Sequence, residues 1–425
     1  MITYHIWYYQ NISEPDQSTY EISMASVAQR ECPPSQETTV LSLQESLTLP
    51  NLPPEIITEI LTRLPVECLL RFISVSKSWR FLISSQRFVI AHREISAQKH
   101  ESRRLLLLAT ISGQGRVCSI HSFSRENPSL VLPDLSRLST SPCKSPRILG
   151  SCKGLICLST VALKLLIWNP STRKSREFPD LWVQRKTGCY VRYGFGFDEH
   201  TEDYKLIKVS SFYQSGGRYD NEVQSYSLKT DSWTMMSGFS SGYINGKCGV
   251  FLNGALHWEI RHADDFWEIR HADDFWEIIA IDLGIMEGKY KTISIPQIFK
   301  NEKFRLKLEV LDGKHLAACY ISSAEKMVDV WVMKQYGLVE SWTKVSSVSL
   351  LPCGDFRGYV SVVYMSENGA EFLLKLGTEL VFYNSAHGGS FKKLEGYDYR
   401  SALELQSATY CESLALLDIG DSSRI

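Results

Sequence analysis

The chain has 425 residues, 44% of them apolar, with 46 basic side chains against 47 acidic ones and a formal charge of −1. That length holds one large domain or two ordinary ones around a real core. The balanced charge provides no long-range field to draw nucleic acid, an anionic membrane or a polyanionic substrate as a bulk partner.

The longest apolar runs, such as Leu105 to Leu108 and Val362 to Tyr364, fall far short of the ~20 residues that span a bilayer. The start, MITYHIWYYQNISEPDQ, has neither a basic segment nor a small-residue cleavage site, which argues against a secretory signal. The 11 cysteines include no C-x-x-C pair, so no tetrahedral zinc site suggests itself and reduced core thiols are expected. These features predict a soluble chain of the cell interior, cytoplasmic or nuclear, with no metal and no cofactor.

Residues 1–48 are rich in Ser, Thr, Gln, Glu and Pro without a sustained period, and are expected to be a disordered extension. Met24 lies inside it and marks residues 1–23 as a candidate upstream extension. From Leu52 the period becomes helical. Ile56, Ile57, Ile60, Leu61 and Leu64 share one face of a helix opening at Pro53-Pro54 and ending near Pro65, since proline is tolerated only in a first turn. A second helix is expected from Pro65 to about Val75 with Leu69, Leu70, Phe72 and Ile73 as its apolar set. Ser76 caps a third that carries Trp79, Leu82 and Ile83. A last helical turn, SQRFVIAHRE, completes a helical domain over residues 49–95.

Beyond about Arg104 short strands alternate with turns, and a repeat emerges. Hairpins entering their turns at Ser122, Asn169, Ser227, Asp282, Met333 and Asn384 are 47, 58, 55, 51 and 51 residues apart. A second hairpin class lies between them: GLICLSTVALKLL, YGFGFDEHTEDYKLIKV, GVFLNGALHW, LEVLDGKHLAACYI and GYVSVVYMSENGAEFLL. Two hairpins per period make a four-stranded blade, and six periods predict a six-bladed β-propeller over residues 105–417, with 418–425 as a tail. The first period supplies about three strands. SATYCESLALLD is expected to close the ring as its fourth, which leaves no free edge. The fold class is thus α+β, multidomain: a small helical domain followed by an all-β propeller.

In blades of strands a to d, the a–b and c–d turns share one face. The short turns DEHTED, KTD, NG and DGK belong there; the longer links WVQRKTGCYVR, YQSGGRYDN, SGFSSGYING, RHADDFWEIRHADDF and QIFKNEKFR belong to the other. If the C-terminal strand is strand a of the first blade, the helical domain enters on the short-turn side and the variable links face away from it. Aromatic residues of those links, Tyr213, Tyr219, Tyr243, Phe266, Trp267 and Phe275, are candidate contacts for a bound molecule. A tandem nonapeptide, Trp258 to Phe266 repeated as Trp267 to Phe275, has odd length. An extra copy inside a strand would invert every following side chain, so the repeat is expected in a loop.

Two chemical readings are weaker. Gly238, Ser240 and Gly242 fit G-x-S-x-G, yet a nucleophile elbow needs a strand before and a helix after the serine, and this stretch reads as a link between strands. His262, Asp264, Asp265, His271, Asp273 and Asp274 resemble a metal-ligand set, but they arise by duplication and read as a solvated loop. No cysteine sits in a recognisable transfer-ligase motif.

Leu52, Pro53, Glu59, Ile60, Leu61, Arg63, Leu64, Pro65, Leu69, Leu70, Arg71, Phe72, Val75, Lys77, Trp79 and Arg80 match an F-box pattern. GSCKGLICL, WNPSTRK, YGFGFD, DYKLIKV, VQSYSLKTDSW and FLNGALHW follow in order. The chain therefore resembles the large plant family of F-box proteins with a C-terminal F-box-associated, kelch-like, propeller-type domain. The resemblance implies a non-catalytic receptor. Its F-box docks on a Skp-family adaptor, which joins a cullin and a RING subunit, and its propeller selects a protein for ubiquitination. Leu52, Pro53, Ile57, Ile60, Leu64, Pro65, Leu69, Phe72, Val75 and Trp79 are the implied adaptor contacts. Ser76, Ile73 and Gln86 depart from the family's usual Cys, Arg and Pro, and are expected to tune that affinity. About 40 residues of helix cannot sustain a core alone, so their apolar faces must be covered by the propeller or by a partner. The alternative is a free-standing propeller that reads a peptide or glycan outside any ligase.

Overall fold

The structure, a computed structural model, describes residues 52–98 and, with breaks at connecting segments, residues 103–415. The expected extension (1–48) and tail (418–425) lie outside the described residues.

Four helices come first: α1 (Pro54–Thr62), α2 (Val66–Phe72), α3 (Lys77–Ser84) and α4 (Gln86–Gln98). Proline sets each of the first two starts: Pro53 and Pro65 are N-caps, and Pro54 occupies the first turn. Ser76 caps α3 by accepting from the Trp79 amide at 3.1 Å. The expected last turn is a 13-residue helix. Leu61, Val66, Leu69, Ile83 and Phe88 form the buried centre of these helices, and Leu414 from the far end of the chain lies buried among them.

The strands follow as antiparallel four-stranded units, the third and fourth of which also join in one sheet through a short parallel pairing of Cys248 and Gly249 with Tyr193 and Gly194. The first holds β1 (Arg103–Ile111), β2 (Val117–Ser122) and β3 (Ser129–Val131). The second holds β4 (Arg147–Cys152), β5 (Leu155–Ser159), β6 (Leu165–Trp168) and β7 (Ser175–Glu177). The third holds β8 (Cys189–Asp198), β9 (Asp203–Tyr213), β10 (Tyr219–Ser227) and β11 (Ser232–Ser241). A short β12 (Tyr243–Ile244) leads to the fourth, with β13 (Cys248–Leu252), β14 (Ala255–His262), β15 (Phe275–Asp282) and β16 (Tyr290–Ser294). The fifth holds β17 (Phe304–Leu311), β18 (His315–Ser322), β19 (Met327–Met333) and β20 (Trp342–Ser349). The sixth holds β21 (Val360–Met365), β22 (Glu371–Leu376), β23 (Glu379–Asn384) and β24 (Ser390–Lys393). The last strand, β25 (Ala402–Cys411), returns to the first unit and pairs antiparallel with β1, from Arg103 opposite Cys411 onward. It occupies the edge position of the order β25-β1-β2-β3, which makes it strand a.

Apolar cores between successive units close these sheets into a ring. Leu106 and Tyr410 of the first unit pack with Ile156 and Trp168 of the second. Phe195 and Leu206 of the third pack with Leu155 and Ile167 of the second. Val209 and Val223 pack with Leu256 and Trp258, Ile278 with Leu316 and Ala318, and Cys319 with Phe372. Leu373 and Leu380 of the sixth then meet Leu105 and Leu107 of the first. Strands β5, β14, β18 and β22 are buried on both faces along most of their length, and successive residues of a strand serve different neighbours. Leu206 faces the second unit while Ile207 faces the fourth. This explains why these segments read as continuous apolar runs rather than alternating ones.

The a–b turns are tight. Lys153-Gly154 and Asn253-Gly254 are two-residue connections with positive φ at both positions, the geometry of a type I′ hairpin. Three sequence expectations change. RILGSC is a strand, β4, so GLICLSTVALKLL spans a b–c connection rather than an a–b hairpin. SGFSSGYING is strand for much of its length, since β11 runs to Ser241 and β12 follows. Trp258 to His262, the start of the first nonapeptide copy, belongs to β14. Trp258 is fully buried there, and the absence of a side chain at Gly249 leaves room for its indole.

Candidate interaction surfaces

The helical domain sits at the a–b end of the ring. The Arg93 guanidinium of α4 lies 5.3 Å from the centre of the Phe197 ring at the end of β8, with the Lys153 ammonium on the same ring at 3.8 Å. Beyond β25, Arg104 pairs with Glu412 at 2.9 Å. The Asn169 amide then donates to the carbonyls of Ser413 (2.9 Å) and Ala415 (2.8 Å), while its own oxygen accepts from the Ser171 amide at 2.8 Å. Leu414, held between those two carbonyls, is completely buried among the helices.

The remaining helical surface is unusually apolar. Leu52, Ile56, Ile60, Val75 and Phe81 are exposed, Phe81 to 81%. Ile56 and Ile60 are one turn apart on α1 and so share a face. Pro53 and Pro65 are exposed as well. Ile57, Leu64, Phe72 and Trp79 are half-buried against the helical core, with Trp79 edge-on to Phe72 at 5.3 Å. Leu69 is a correction: its side chain has no exposure and belongs to the core that shapes the surface rather than to the surface. Phe81 was not anticipated. The signal was present, because Phe81 lies outside the inward stripe of Trp79, Leu82 and Ile83. Lys77, Arg80 and Phe81 border an open groove of about 540 Å³ with Ser84, Ser85 and Gln86.

The opposite end of the ring carries an aromatic cluster built from strand ends. Tyr213 closes β9, Tyr219 opens β10 directly opposite it, Tyr243 lies on β12 and Tyr190 near the start of β8. Tyr219 is buried at the centre, with ring centroids 5.4 Å from Tyr213, 5.5 Å from Tyr243 and 6.5 Å from Tyr190. Burial, followed by its tyrosine neighbours, pushes the Tyr219 phenol up to about 12. Tyr190 and Tyr213 present exposed rings. The Arg192 guanidinium lies 6.0 Å from the Tyr190 centroid and 5.6 Å from that of Tyr243, and donates to the Tyr243 hydroxyl at 2.7 Å. The structure thus brings Tyr213, Tyr219 and Tyr243 together and adds Tyr190 and Arg192, for which the sequence carried no pattern.

Phe275 opens β15 opposite His262, and the two rings stack at 4.2 Å. His262 shares a 3.0 Å hydrogen bond with Glu277. Tyr243 pairs with Arg261, the residue before His262, so Phe275 lies on the same end of the ring. Phe266, Trp267 and the acidic and histidine residues from Asp264 to Asp274 lie outside the described residues. Ser240 sits on β11, donates to Asp220 at 2.5 Å and is followed by strand rather than helix, so the nucleophile-elbow geometry is not formed there.

Residues 49–90 match the F-box domain model, and residues 108–415 match the model of the F-box associated beta propeller domain. An F-box/kelch-repeat protein of Arabidopsis thaliana is 29% identical over 347 residues, covering 80% of this chain and 89% of that protein. F-box protein CPR1 of the same plant is 28% identical over 358 residues, covering 79% and 82%. The family model spans well over half of the chain, and the strand order and the buried seams between sheets are those of a propeller. The chain belongs to the F-box proteins that carry an F-box-associated β-propeller domain.

Proposed function

We propose that this chain is the substrate-recognition subunit of a Skp–cullin–F-box ubiquitin ligase. In this reading the helical domain binds a Skp-family adaptor, and a cullin and a RING subunit join through that adaptor. The tyrosine-bearing face, with Tyr213, Tyr219, Tyr243 and Phe275, holds a target protein. The chemistry resides in other subunits, and the chain works in the cytoplasm or nucleus. One observation carries the reading: Leu414 and Arg93 fix the helices to the a–b end of the ring, while the aromatic cluster occupies the other end. A receptor needs this layout, since the two partners approach from opposite sides and are held at a set separation. Exposed Ile56, Ile60, Val75 and Phe81 are apolar anchors of the kind that partner helices bury.

The test is co-expression with a Skp-family adaptor. A stable complex is expected with the intact chain, and Leu64→Ala combined with Pro65→Ala should abolish it while leaving the propeller folded. An intact, folded chain that captures no such adaptor would sink the reading and favour a free-standing binder.

A further inference from the structure

Arg192 differs from the other arginines that carry ion pairs in this chain. Arg103 meets Asp312, Arg104 meets Glu412 and Arg176 meets Asp231. Arg192 is half-buried, and among the described residues no carboxylate pairs with it. Its Nη2 donates to the Tyr243 hydroxyl and its Nη1 to the Val191 carbonyl at 3.2 Å, while its Nε is buried without an acceptor. Two of five guanidinium donors are thereby used. Asp220, the acid at this end of β10, already accepts from Ser240. A partly desolvated charge without a counter-ion is costly to keep, and a carboxylate can repay that cost through a charge-assisted, two-pronged hydrogen bond.

The same geometry decides against a cationic ligand. Tyrosine faces attract cations, but the faces of Tyr190 and Tyr243 are already turned to Arg192, so a second cation would meet like charge. Tyr190 and Tyr213 are exposed and offer apolar area, and the exposed Arg218 adds positive charge in the connection between β9 and β10.

Resting on the reading that this face holds the target protein, we propose that the tyrosine cluster takes an acidic side chain of an extended target segment. The anion pairs with Arg192, and the neighbouring apolar residues lie on Tyr190 and Tyr213. Arg192 is then the residue that sets charge preference, and the tyrosines supply area.

The test uses the full chain bound to a Skp-family adaptor and a library of displayed random dodecapeptides. The expected selection is for Asp or Glu beside an aromatic or aliphatic residue. A fluorescein-labelled consensus peptide should lose roughly tenfold or more in affinity on Arg192→Gln. Selection on Arg192→Glu should turn to Lys and Arg, and Tyr190→Ala should weaken binding without changing the charge preference. The same peptide made with phosphoserine in place of the acid separates phosphate from carboxylate as the anion's source. Arg192-dependent binding of either supports the proposal. A consensus without an acid, acid selection that survives Arg192→Glu, no peptide enrichment above that variant, or an oligosaccharide bound independently of Arg192 would each overturn it. Melting temperature and adaptor co-purification, measured on every variant, separate this result from misfolding. They also separate it from failure of the ligase reading, which would show as lost adaptor binding by the intact chain.

Discussion

Asn169 donates through Nδ2 to the carbonyl of Ser413 at 2.9 Å, across 244 residues of chain. The bond is buried and sets the path of the segment after β25, so that Leu414 enters the helical core while β25 closes the propeller. Ring closure and attachment of the F-box therefore depend on one stretch of about a dozen residues. Leu414→Ala should cost ~2–5 kcal/mol within the helical domain, and Asn169→Ala should cost ~1–3 kcal/mol by leaving buried carbonyls unpaired. Both should split one thermal transition into two, the helices melting first. A single unshifted transition in both variants would show that the attachment lies elsewhere.

Phe81 and Leu69 should separate surface from core. Phe81→Ser removes an 81% exposed ring, so the melting temperature should hold while adaptor affinity falls roughly tenfold. Leu69→Ala should instead lower stability by ~2–5 kcal/mol and weaken the adaptor only through the fold. Calorimetry and an adaptor binding isotherm on the same preparations distinguish the two. Undiminished affinity in Phe81→Ser would place the adaptor off this part of α3.

Deleting Trp267 to Phe275 should leave the propeller intact. His262 pairs with Phe275 at the mouth of the β14–β15 hairpin, and the repeat places Phe266 in front of Trp276 once the second copy is gone. The hairpin then closes over three residues, Ala263 to Asp265, a common connection length. Solubility and melting temperature should stay nearly unchanged, and adaptor binding should persist. The set of co-purifying proteins should change, because the shortened loop lies on the proposed recognition face. An unchanged set would remove the repeat from recognition.

His257 makes stability depend on pH. Its Nδ1 donates to the Val250 carbonyl at 3.1 Å and its Nε2 meets the Tyr336 hydroxyl at 2.7 Å. Burial pulls its pKa down from 6.5 to about 4, with the Val250 bond opposing in part. Between those values the unfolded chain binds the proton and the native chain does not. Stability from this site is thus full above about pH 6.5 and lost as pH falls toward 4, by up to about 3 kcal/mol. Urea midpoints taken across that range should fall with pH, and His257→Gln should flatten the slope. Equal slopes in the two proteins would refute the assignment.

The helices and the blade repeat were legible in the sequence because they are local. Pro53, Pro65 and Ser76 mark helix starts through their own backbone preferences, and residue pairs such as Asn253-Gly254 mark hairpins wherever they occur. The parity of an antiparallel blade also placed the helical domain opposite the long links, given only that the last strand was strand a. Strand β4 escaped notice because RILGSC is neither alternating nor fully apolar; its pattern comes from its inner position, where Leu149 and Cys152 are buried against Phe195. Whether a helical apolar side chain meets a core or a partner was only partly legible. Phe81 falls outside the stripe of Trp79, Leu82 and Ile83, but for Leu69 only the packing of four helices around Leu414 decides that it is buried rather than presented to a partner. Arg192 gave no signal at all. Its meaning depends on what surrounds it, namely Tyr190 of β8 and Tyr243 of β12, with no carboxylate pairing with it among the described residues. Burial and charge compensation are properties of neighbours distant along the chain, and these the tertiary structure alone decides.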